Sequence, residues 1–148
     1  MQALSFIHYQ VDEYMNFIKY CLIFTGICSL MAFAVSFTYA PFLVRVFTPR
    51  DSNVYNIALG GFAIFSISFL FSGLNIFTSA LFTAFSNGKV SAIISFMRTF
   101  VFIAVGLLLL PLIMGGDGAW VAITLAEFLS MVMCVFYLYF FRNRYEYI

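Results

Sequence analysis

The chain has 148 residues, 64% of them hydrophobic, 21% aromatic and only 9% charged, with a formal net charge of +1. Together with a mean hydropathy of +1.05, this is the make-up of an integral membrane protein whose first partner is the lipid bilayer. So weak a charge excludes nucleic acid as a main partner. Three widely spaced cysteines, Cys21, Cys28 and Cys134, suggest neither a disulfide framework nor a metal site and read as small packing residues.

Charge-free windows of about 20 residues mark membrane helices, and four are found, at about 17–46, 53–86, 89–113 and 119–141. The opening MQALSFIHYQ lacks a basic n-region and a continuous apolar core, so no cleavable signal peptide is expected, and His8 reads as a solvated or loop histidine. The first window, Tyr20 to Val44, lies between Lys19 and Arg45, with Asp12 and Glu13 where its helix should begin and Pro41 expected to bend or tighten its outer end. A turn-like Thr48-Pro49-Arg50-Asp51-Ser52-Asn53 follows, in which Asp51 or Ser52 can cap the next helix. The second span continues uncharged to Gly88 and exceeds a bilayer at about 1.5 Å per residue, so it must tilt, project or break near Gly60-Gly61.

Asn87-Gly88 is the next turn, and the third span carries Pro111 near its far end. Gly115-Gly116-Asp117-Gly118 turns the chain into a fourth span. That span enters with Trp120 and leaves through Tyr137, Tyr139, Arg142, Arg144 and Tyr145, an interfacial aromatic and basic belt. No internal repeat or soluble domain is visible, so residues 1–148 form one all-α transmembrane domain. Lys19, Lys89, Arg142 and Arg144 lie on the side of both termini, against Arg45 and Arg50 on the other, which places both termini in the cytoplasm.

The polar residues inside these spans are the functional candidates, because such groups are costly in hydrocarbon. Ser68, Ser72, Asn75, Ser79, Thr83 and Ser86 recur at steps of three and four and form one seam on a helix. Folding the hairpins puts Arg98 level with Phe77, in reach of Asn75, Thr78 and Ser79. It puts Glu127 level with Phe71, leaving the two charges about 9 Å apart in depth, a gap that two long side chains can bridge directly, through water or through Asn75. Ala122, Ala126, Ser130 and Cys134 form a stripe of small residues for a close helix neighbour. Each feature has a plainer reading: the hydroxyls as packing groups bonded to the preceding turn, Arg98 as a snorkelling side chain, and Glu127 with Arg98 as a structural pair. Phe71, Phe82 and Phe85 flank the seam, as lipid-facing bulk or as walls for flat apolar ligands.

At these residues the sequence resembles the multidrug and toxic compound extrusion (MATE) transporters. Gly73-Leu74-Asn75-Ile76, Thr78 to Ala84 and Gly88-Lys89 look like the tenth helix of that family and its following turn. Ser95-Phe96-Met97-Arg98 and Leu110-Pro111 look like the eleventh, while Gly115 to Trp120 with Ala126-Glu127 look like the start of the twelfth. Arg45-Val46-Phe47-Thr48 resembles the loop after the ninth. The resemblance implies the last four helices, ninth to twelfth, of the second lobe of a twelve-helix protein, with Met1 inside a longer reading frame. A truncated, split or shortened product is then expected, with the missing helices supplied by the same or another chain.

The resemblance further implies a DinF-like branch, because the span from Val54 to Gly88 lacks the carboxylate that a NorM-like tenth helix uses. The coupling ion, Na+ or H+, would then bind outside this chain, and no cofactor or metal is expected within it. Asn75, Ser72, Ser79, Arg98, Glu127 and Phe71 remain as candidates for the substrate cavity. The implied function is that of the C-terminal part of a plasma-membrane antiporter exporting small amphipathic, often cationic organic compounds, not competent alone. The alternatives are a fragment of a lipid-linked oligosaccharide flippase, which would want more cations than Arg98, a small oligomeric four-helix exporter using Glu127, or a non-functional or structural remnant. No nucleophile and base or metal set points to an enzyme.

Overall fold

Backbone in hydrocarbon must satisfy its own hydrogen bonds, which leaves long apolar runs the choice of helix or closed barrel. In the computed structural model the described residues hold helices and no strand. The structure describes residues 2–50 and 52–145, with side chains at 13, 15–50 and 52–141; the side chains of His8, Asp12, Arg142, Arg144 and Tyr145, and the whole of Asp51, lie outside the described residues. Helix α1 spans Gln2–Phe47 and α2 Asn53–Ala84. Helix α3, Gly88–Phe96, continues through a π-helical segment, Met97–Phe102, into α4, Ile103–Met114, and α5 spans Asp117–Tyr145. Among the described residues four helical stretches are long and apolar enough to cross a membrane, Met15–Phe47, Asn53–Ala84, Gly88–Met114 and Asp117–Phe141. The chain is a multi-pass membrane protein with spans within a few residues of those expected.

The helix ends differ from expectation in ways that local chemistry explains. α1 does not start near Asp12 and Glu13 but at Gln2, because no proline or glycine interrupts residues 2–14. Its 46 residues reach about 70 Å, well beyond a bilayer core. Pro41 lies inside α1, which continues to Phe47, and the Tyr55 hydroxyl donates to the Pro41 carbonyl at 3.4 Å. α2 runs 32 residues without a break at Gly60-Gly61. Its start is capped by Ser52, whose Oγ accepts the Tyr55 N–H at 3.2 Å.

The turn after α2 comes early, at Phe85 to Asn87, with Ser86 at φ 57° and Asn87 Oδ1 accepting the Val90 N–H at 3.4 Å. The second turn is only Gly115-Gly116, the former at φ +68°. Asp117 already belongs to α5, where a carboxylate suits the positive helix end.

α2 is the central helix: α1 packs on one side of it, α3 and α5 on the other, and α4 lies against α5. Among the described residues α1 touches α2 alone. α2 and α5 run parallel, since their partners advance together. Trp120 occupies the space where Gly61 would carry a Cβ, the Thr124 hydroxyl donates to the Ile64 carbonyl at 2.9 Å, Phe71 meets Phe128 at 5.5 Å and Phe82 meets Tyr137 at 6.4 Å. The small-residue stripe makes this approach possible: Ala122, Ala126, Ser130 and Cys134 are all buried. Phe82, Val90, Ile94 and Cys134 form a core towards the Asn87 end, with Met133, Tyr137, Leu138 and Phe141 packed on it.

Candidate functional site

The α2–α5 contact places Asn75 against Glu127. Asn75 is 1% exposed, and its Nδ2 donates to Glu127 Oε2 at 2.7 Å and to the Glu127 main-chain carbonyl at 3.0 Å. Both amide protons are thereby used on one residue of the facing helix. The expected depth of Glu127, level with Phe71, agrees with the Phe71–Phe128 ring contact, and its carboxylate reaches one turn further to Asn75. Asn75 Oδ1 and, a turn on, Thr78 Oγ1 are buried without a hydrogen-bond partner among the described residues. The buried Cys134 thiol lies beside Thr78 and within electrostatic range of both Glu127 and Arg98.

Arg98 is not joined to this pair. It makes no hydrogen bond or ion pair with any described residue, Asn75, Thr78, Ser79 and Glu127 included. It sits instead in the π-helical segment, which packs against α5. A π turn closes i→i+5 rather than i→i+4, so the direction of a side chain within it departs from what regular helical spacing gives.

The seam on α2 finds different partners along its length. Ser72 bonds back to the Phe69 carbonyl at 3.2 Å, the packing role that hydroxyls commonly take in helices. Further along, Ser79 and Thr83 face α3. Ser79 Oγ lies 3.0 Å from Ser91 Oγ and 2.9 Å from Ser95 Oγ, and Thr83 Oγ1 donates to Ser91 Oγ at 2.7 Å. Thr83 and Ser95 are exposed, Ser79 is half-buried and Ser91 is buried, so this hydroxyl ladder runs from the helix contact to the protein surface near the Asn87 end of the spans.

Of the phenylalanines flanking the seam, Phe82 is fully buried in the core. Phe71 packs on Phe128, and Phe85 lines an apolar cavity of about 330 Å³ between α1 and α2 with Phe17, Cys21, Phe77 and Leu81. A second cavity, of about 250 Å³, lies under Trp120 at the other end, lined by Val44, Phe47 and Phe62. Among the described residues no three His, Cys, Asp or Glu side chains converge.

Sequence reasoning passed over Ser91. Its signal was the spacing of Ser91, Ser95 and Arg98 on one helix, opposite the continuing α2 seam. Comparison with known proteins returned no matching family model, no matching curated protein and no matching solved structure.

Proposed function

We propose that this chain is the last four helices of the second lobe of a MATE-like, DinF-like exporter, acting in cation-coupled export of small amphipathic organic compounds from the cell. The observation that carries this reading is the Asn75–Glu127 pair: an ionisable carboxyl held by a buried amide between two membrane helices, the kind of group that marks transport pathways. Two further features support it. The hydroxyl ladder on α2 and α3 is ill suited to lipid and suits the wall of a wet cavity, and among the described residues α1 has one helical neighbour where a lobe of six helices would supply more. In this reading the missing helices complete the cavity, Asn75, Ser72, Ser79, Arg98, Glu127 and Phe71 belong to its surroundings, and lobe rocking gives alternating access. Both termini are cytoplasmic.

The test is expression of the chain alone in a strain stripped of its own drug pumps. Unchanged drug sensitivity is expected, because the coupling residues of the resembled branch lie elsewhere. Resistance that vanishes on Glu127→Gln would replace this reading with a small oligomeric exporter, which the complete Asn75–Glu127 contact within one chain also favours.

A further inference from the structure

Arg98 lies ten residues into the span that begins at Gly88, about 15 Å along the helix. A cation at that depth needs compensation, yet no described residue pairs with it. Glu127 is engaged by Asn75, and residues 53–84 and 88–114 contain no other carboxylate. The neighbouring surface carries hydroxyls, each able to donate as well as accept. Either hydroxyl of the Ser79–Ser91 and Ser79–Ser95 pairs can be the donor, and where Ser79 donates to Ser95 the Ser95 proton is available to a ligand. Ser95 is exposed one turn before Arg98, and exposed Thr99 follows it. A guanidinium carried on the same helix as exposed hydroxyls one turn before it and at the next residue supplies the chemistry that holds oxyanions, through charge-assisted bonds to paired oxygens.

We propose that Arg98, with Ser95 and Thr99, binds the phosphate or carboxylate group of an amphipathic molecule lying along the α2–α3 face. The apolar body follows from the depth of the site. The oxyanion comes from a membrane phospholipid or from a soluble amphiphile, and both satisfy the same chemistry. The inference concerns equilibrium binding and does not depend on export.

The experiment uses the full chain in nonionic detergent and measures binding of labelled decyl phosphate. Arg98→Gln is expected to weaken binding by about tenfold or more, as loss of a charged hydrogen bond should, Arg98→Lys to retain part of it, and Ser95→Ala to weaken it about threefold. Lys89→Gln, an exposed interfacial change, should leave it unaltered. Competition by phosphatidylglycerol but not phosphatidylcholine would assign the site to an anionic lipid, and competition only by soluble alkyl phosphates and carboxylates to a free amphiphile. Equal binding by wild type, Arg98→Gln and Ser95→Ala, or tighter binding of decyltrimethylammonium than of decyl phosphate, would overturn the proposal.

Discussion

At the scale of single residues, the Asn75–Glu127 contact makes a quantitative demand. Interhelical hydrogen bonds in membranes average about 0.6 kcal/mol in double-mutant cycles, with a maximum of about 1.7. The 2.7 Å bond to a carboxyl oxygen belongs at the upper end. A cycle on Asn75→Ala and Glu127→Gln, followed by thermal unfolding in detergent, should give a coupling above about 1 kcal/mol. The corresponding cycle on Arg98→Gln and Glu127→Gln should be additive to within about 0.5 kcal/mol, because those side chains do not meet. Coupling in the second cycle would show that the charges do share a site. The contrast also marks what the sequence could convey. Counting residues from a turn fixes depth, and it put Glu127 level with Phe71 and Arg98 within reach of Asn75, whereas the structure joins Asn75 to Glu127. Which way a side chain points depends on helix rotation, and the π-helical turn at Met97–Phe102 has no composition signal in MRTFVF that would have warned of it.

At the scale of helices, the spans were legible because lipid enforces a minimum apolar length, and lysines and arginines bracket it. The Gly60-Gly61 pair was not legible, since glycine in a long helix reads equally as a break or as a close approach. Here Gly61 receives the Trp120 ring where a Cβ would stand, whereas nothing lies near the corresponding position of Gly60. Gly61→Ala should therefore destabilise the chain by about 1–3 kcal/mol through overpacking, while Gly60→Ala should be neutral or slightly stabilising. Melting temperatures of the two variants in one detergent would decide it. A similar loss in both would mean that the indole does not seat on α2. On α3, replacing both Ser91 and Ser95 by alanine removes partners from Ser79 and Thr83 together. The combined loss, read from the same melts, should differ from the sum of the single changes because the hydroxyls form one network.

At the scale of the whole molecule, the two turns lie at opposite ends of the spans. After the native cysteines are changed to serine, a cysteine at exposed Asp117 should react with a membrane-impermeant thiol reagent on intact cells, and one at exposed Lys89 only after permeabilisation. The reverse pattern would invert the orientation, and labelling of both from outside would contradict the four-span arrangement. The same geometry has an optical consequence. Trp120 is the chain's only tryptophan, and it is seated on α2 at Gly61 while carried by α5. Its emission colour and its quenching by brominated lipids therefore gauge the separation of those two helices without any added label. Any ligand or partner that parts α2 from α5 would announce itself in the native fluorescence.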